Sequence, residues 1–186
     1  MRPSAPFLAL LLVATVAGQA DARRQRTIGG EKYVANGKFG LGLELGSPFG
    51  LNGKFFLSDD RALNFGVGVI YDRYYYDDRD GFHVYLDYMF HPFSITNNPT
   101  FQLPFYVGVG GRLWNVNDGR FNDDATALGV RVPLGLAFDF NKVPLDIFVQ
   151  LTFVADLFFG YSDNNRTYDR AGIHIEGSVG IRYWFD

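Results

Sequence analysis

Apolar and polar residues trade places with a period of two along most of this chain. In its last part Ile173, Ile175, Gly177, Val179, Ile181, Tyr183 and Phe185 alternate with His174, Glu176, Ser178, Gly180, Arg182 and Trp184. Successive side chains of a strand point to opposite faces, so this stretch predicts a strand with one apolar face and one face holding an acid, a base and an imidazole. The pattern recurs over 38–45, 49–57, 62–72, 81–91, 103–114, 125–140 and 144–159 before its last appearance at 172–185. The spacing predicts an all-β chain of eight antiparallel strands in an up-and-down barrel. Most of the segments reach the roughly 9–11 residues that a tilted strand needs to cross a bilayer.

The links between these segments fall into two classes. On one end lie GSP, then DRYYYDDRDG, NVNDGRFNDD and GYSDNNRTYDRAG; on the other lie SDDR, NKV and the longer HPFSITNNPTFQ. Long polar loops at roughly 73–80, 115–124 and 160–171, opposed by short turns, match the asymmetry of a transmembrane barrel with long extracellular loops. Both chain ends then lie on the periplasmic side.

Alternation alone does not say which face is inside. A membrane barrel is polar within and apolar without, and a soluble lipocalin-like carrier is the reverse. Glycine favours the first. Gly40, Gly42, Gly50, Gly66, Gly68, Gly108, Gly110, Gly129, Gly135 and Gly180 share the polar phase, against Gly53, Gly111 and Gly177 on the apolar one. Inside a narrow barrel glycine leaves room for long side chains reaching across, whereas on a wetted face it contributes nothing. The apolar phase is rich in Leu, Val, Ile and Phe. Its aromatics gather toward the strand ends, with Tyr71, Phe82 and Phe159 at one and Tyr88, Phe90, Phe105, Phe138, Phe140, Tyr183 and Phe185 at the other, in the manner of interfacial girdles.

Composition sharpens this reading. Aromatics make up 17% of the 186 residues and there are 22 glycines, a balance that favours strands over helices. A net charge of -3 gives no reason to expect a nucleic-acid partner. There is no cysteine, hence no disulfide and no thiolate chemistry. The N-terminus MRPSAPFLALLLVATVAGQADARRQ opens with Arg2, followed by an apolar run and then Ala20-Asp21-Ala22, which predicts a secretory signal peptide over 1–22. A polar lead-in over 23–36 and a barrel domain over 37–186 follow.

The closing GSVGIRYWF, with Val179, Ile181, Tyr183 and Phe185 in alternation, resembles the C-terminal assembly signal of the small eight-stranded outer-membrane β-barrels, the family of the transmembrane domain of outer membrane protein A. That family commonly ends on the aromatic, and here Asp186 follows it. GSPFGLNGKFFL (46–57) and GVRVPLGLAFDFNKVPLDIFVQL (129–151) are similar to stretches of uncharacterised small bacterial barrels. The resemblance implies a porin-like fold in the cell outer membrane of a Gram-negative bacterium. It also implies surrounding outer-membrane lipid and lipopolysaccharide, and delivery by the barrel assembly machinery. It implies no single function, because a fold hosts many.

On the inward phase stand Glu44, Lys54, Asp87, Arg112, Arg131, Asp139, Asp146, Asp156, Glu176 and Arg182. Glu44, Arg112, Arg131, Asp156 and Glu176 fall toward the extracellular half and the other five toward the periplasmic half. Buried charges must be paired, so two mixed-sign networks filling the lumen are expected. An eight-stranded barrel has room for its own side chains or one small ligand. The expected role is structural or surface recognition, with a narrow small-solute channel as the alternative. A lipid-modifying enzyme is a further alternative, with His83 and His174 as bases, Asp156 or Glu176 as orienters and Ser162 as nucleophile, although neither G-x-S-x-G nor H-E-x-x-H occurs. His91, beside Pro92, has no chemistry the sequence names. The loop segments RYYYDDRD and NDGRFNDD pair tyrosines with aspartates, which suits extracellular ligands or divalent cations bridging to lipopolysaccharide, and equally suits solvated loops. Asn165-Arg166-Thr167 matches a glycosylation sequon. No cofactor or metal site is implied.

Overall fold

The computed structural model describes residues 33–35, 37–72, 79–118, 123–163 and 166–185. The signal peptide expected at 1–22, most of the lead-in, Asn165 and the side chains of Tyr71 and Ser162 lie outside what it describes. Eight antiparallel strands follow in order: β1 (Phe39–Gly46), β2 (Phe49–Ser58), β3 (Arg61–Asp72), β4 (Arg79–Asn97), β5 (Phe101–Asp118), β6 (Asp123–Phe140), β7 (Leu145–Asp163) and β8 (Arg166–Phe185). Each pairs with the next, and β1 returns to β8 to close the barrel. The fold is the all-β up-and-down barrel that the alternation predicts.

Strands β4 to β8 are longer than the pattern suggests. The expected 91–102 link is ladder except at 98–100, and of the expected loops residues 79–80, 115–118, 123–124, 160–163 and 166–171 are strand. Two register shifts in the β4–β5 pair, between Phe90 and Phe93 and between Ser94 and Asn97, explain the first miss. His91 and Ser94 are both buried although three residues apart, so the bulge at Pro92 resets the phase that alternation follows. Proline has no amide to give the ladder, and a bulge is where a strand accommodates it. The Asn98 carboxamide then accepts from the amides of Thr100 (2.9 Å) and Phe101 (3.0 Å) and closes the turn.

The wall is uneven in height. Gly46 lies opposite Ser178, so β1 pairs only with Ser178–Phe185 of a β8 that is 20 residues long. Residues 166–177 rise past the end of β1, and among the described residues no strand pairs with that edge. Gly46 ends β1 at φ +125°, a conformation that side-chain-bearing residues rarely adopt, and the chain turns through Ser47 and Pro48 into β2.

The apolar phase faces outward. Leu43, Leu51, Leu86, Leu113, Leu128, Val149, Leu151 and Ile181 are exposed on the barrel wall, as are the aromatics Phe82, Phe159, Tyr88, Phe90, Phe138, Tyr183 and Phe185 near its ends. Inward glycines are overlaid by large neighbours. A Cβ on Gly66 would lie 2.6 Å from Tyr85 Cζ, and one on Gly40 would lie 2.9 Å from Trp184 Cε3. By contrast, a Cβ on the outward Gly177 would meet only Leu151 Cδ2, at 3.8 Å. The lumen is therefore packed by aromatic and charged side chains that the glycines admit.

Candidate functional site: the charged lumen

All ten charged residues of the polar phase lie inside, none more than 5% exposed. The strand registers bring them into three tiers between the end carrying the 59–60, 98–100 and 141–144 turns, termed the terminal end, and the opposite far end.

The far tier centres on Arg112 of β5. Its Nε donates to Asp156 Oδ1 at 2.9 Å and its Nη2 to Asp156 Oδ2 at 2.5 Å, a two-point fork, while Nη1 donates to Glu176. Arg131 of β6 sits beneath it. Its Nε is 3.3 Å from Asp87 Oδ1 and its Nη1 is 4.0 Å from Glu176 Oε2 and 3.4 Å from His83 Nε2. Glu176 thus stands between two guanidinium groups. His174, with its side chain 36% exposed, covers this tier: Nε2 lies 2.8 Å from Arg112 Nη2 and 3.3 Å from Glu176 Oε1. Asp87, expected in the periplasmic layer, belongs here through Arg131, because Gly110 faces both residues in the ladder.

In the middle tier Glu44 accepts from neutral donors. Tyr85 Oη reaches Oε2 at 2.5 Å, Asn52 Nδ2 reaches the same oxygen at 3.2 Å and Ser178 Oγ reaches Oε1 at 2.6 Å. Arg182 grips Asp146 through Nε (3.0 Å) and Nη2 (2.9 Å), and its Nη1 donates to Asn52 Oδ1 (3.1 Å) and Asn64 Oδ1 (3.3 Å). Its guanidinium carbon also lies 4.3 Å above the Phe148 ring. Asn52 and Asn64 were not singled out from sequence, although both lie on the inward phase of β2 and β3 and were legible there.

The terminal tier departs most from expectation. Lys54 places its Nζ 2.8 Å from His91 Nε2, and Asp139 Oδ2 accepts from the hydroxyl of Tyr33 at 3.0 Å. His91 also continues the inward series of His83, Tyr85, Asp87 and Met89. Its burial was legible from that series, but its partners were not. Tyr33 carried no signal, since the three described residues of the lead-in to which it belongs have no periodicity.

These contacts fill the lumen with opposed charges and directed hydrogen bonds. The catalytic arrangement expected as an alternative finds His174 Nε2 within the far network, 2.8 Å from Arg112 Nη2, 3.3 Å from Glu176 Oε1 and 3.7 Å from Asp156 Oδ2. Among the described residues no group of three or more His, Asp or Glu side chains is arranged to hold a metal ion.

The family described as "Protein of unknown function (DUF3996)" matches residues 30–183 of the chain. No curated protein matches it. Among solved structures, the N-terminal β-barrel domain of Pseudomonas aeruginosa OprF is similar. It has a TM-score of 0.51 and 17% identity over 79% of this chain and 98% of that domain. At that identity the likeness concerns the fold.

Proposed function

We propose, from the premise that the chain belongs to the family described as "Protein of unknown function (DUF3996)", that it is an integral outer-membrane β-barrel protein with a structural or surface-recognition role and a closed lumen. One observation carries this reading: an apolar wall faces outward around a lumen of buried, mutually bonded charges. Water would reward the opposite arrangement, and hydrocarbon rewards this one. The outward aromatics near both ends suit the two interfaces of a bilayer. A lipocalin-like carrier would need the Leu and Phe phase inside.

The far end then faces the exterior, where the strand tips carry the Tyr- and Asp-rich segments. The terminal end faces the periplasm, in keeping with export by the signal peptide expected at 1–22. Arg112, Arg131 and Arg182 span the lumen one above another, which argues for a plug over a solute channel. Lipopolysaccharide and extracellular ligands at the tips are the partners this reading supplies, and the barrel assembly machinery would read Val179, Ile181, Tyr183 and Phe185.

The test is expression with the chain's own N-terminus, followed by membrane fractionation and comparison of boiled with unboiled gel mobility. A faster unboiled band in the outer-membrane fraction, with no steady conductance in planar bilayers, supports the reading. A soluble protein without a heat shift overturns it, and a steady small-solute conductance replaces the plug with a channel.

A further inference from the structure

Tyr33 precedes the first strand, yet it is 3% exposed, inside the terminal end of the lumen. Its ring stacks on His91, with centroids 5.2 Å apart and planes at 25°, and tilts against Phe56 at 5.8 Å. Its hydroxyl donates to Asp139 Oδ2 across the barrel at 3.0 Å. Burial, reinforced by the Asp139 carboxylate, pushes the phenol well above its usual range, so it remains a donor. Gln102 Nε2 donates to the Val34 carbonyl at 3.4 Å, and Ala35 packs on the same cluster.

The Lys54 amine shares two of these neighbours, His91 and Phe56. Its Nζ is 4.6 Å from the Tyr106 ring centroid, 5.5 Å from that of Phe56 and 2.8 Å from His91 Nε2. His91 Nδ1 lies 3.2 Å from the Asp60 carbonyl, a contact that requires Nδ1 to carry the proton and leaves Nε2 to accept from Lys54. One imidazole thus stacks on Tyr33 and bonds to Lys54.

We propose that His91, Phe56 and Asp139 form a phenol-binding cup at the terminal end, that Tyr33 is its resident occupant, and that residues 33–35 act as a strap closing the cup over Lys54. The strap is separable from the barrel. Residues 33–35 belong to no strand, and the barrel closes through its own β1–β8 ladder without them. Segments held by a few side-chain contacts open at lower cost than the ladder does.

The experiment measures reductive methylation of the folded full chain by formaldehyde and cyanoborohydride, with Lys54 and the exposed Lys142 quantified by peptide mass mapping. In the wild-type protein Lys54 should stay unmodified after Lys142 has reacted fully. Tyr33→Ala, retaining the gel heat shift, should raise the Lys54 rate about tenfold or more relative to Lys142. Tyr33→Phe, which keeps the stacking and loses the Asp139 bond, should fall between. Equal protection of Lys54 in Tyr33→Ala and the wild type overturns the proposal, as does wild-type Lys54 reacting alongside Lys142. Should Tyr33→Ala lose the heat shift, the wild type in rising denaturant decides. Lys54 reactivity appearing before the heat shift is lost supports a strap, and the two changing together overturns it.

Discussion

Arg131 lays its guanidinium on the ring of Tyr85, with Cζ 3.9 Å from the ring centroid. The same ring covers Gly66 and sends its hydroxyl to Glu44, so one stack joins the far tier of charges to the middle one. Removing Arg131 takes the opposing charge from Asp87 and part of that facing Glu176, both buried. Arg131→Ala should therefore destabilise the barrel by roughly 3–5 kcal/mol, seen as loss of the heat-shifted band at lower temperature. Arg131→Lys, which keeps the charge and loses the planar stack, should lie between. A new steady conductance with unchanged thermal stability would instead make Arg131 a gate.

Two glycines on opposite faces provide a paired test. A Cβ at Gly66 would lie 2.6 Å from Tyr85 Cζ, and the ring has little freedom to retreat because Arg131 stacks on it and Glu44 holds its hydroxyl. Gly66→Ala should cost about 1–3 kcal/mol through overpacking. Gly177→Ala should be neutral, or stabilising by up to about 0.5 kcal/mol, because its Cβ points into open space on the outer wall. Equal effects at the two sites would mean that the lumen yields more readily than its contacts imply.

Val149 stands on the outer wall between Leu136 and Val179. In a bilayer Val149→Arg should cost about 2–4 kcal/mol, measured by denaturant titration of the protein folded into lipid vesicles. A change within about 0.5 kcal/mol is what a water-facing surface would give, and it would argue against lipid on that face.

Phe185 stacks on Phe39 at 5.9 Å and meets Tyr183 edge-on at 5.0 Å. Phe185→Ala should lower the fraction of chain assembled in cells, while protein refolded in detergent still gives the heat-shifted band. Loss of the band in both settings would assign the ring to folding of the β1–β8 seam and not to recognition by the assembly machinery.

Much of the fold was legible because a period of two repeats along the chain and glycine marks the crowded face. The ten lumen charges were legible as a set, since facing inward follows from phase alone. Their partners were not. Partnership depends on register, which no single strand encodes: Asp87 meets Arg131 only because Gly110 lies between them in the ladder. The link at 91–102 was misread because a bulge at Pro92 shifts the phase, and the polar strand tips because loops and two-stranded extensions use the same residue types. Tyr33 was out of reach for a different reason: it lies outside every strand, and its position is set by a cup built from β2, β4 and β6.

The shortness of β1 sets how deep the barrel can ride. Beyond Gly46, residues 166–177 of β8 have no strand beside them on that side among the described residues. Water serves a bare strand edge at no penalty, but hydrocarbon charges several kcal/mol for each unmet amide or carbonyl. In the proposed bilayer setting the β1–β8 seam would be a waterline: lipid tails would rise to about the level of Gly46 there, and the strip above, with Ile173 87% exposed, would belong to the aqueous side. On the opposite wall the β4–β5 ladder continues to Arg79 and Asp118. Under the outer-membrane reading proposed above, a barrel so trimmed would sit with one low side and one high side, its tall wall toward the exterior.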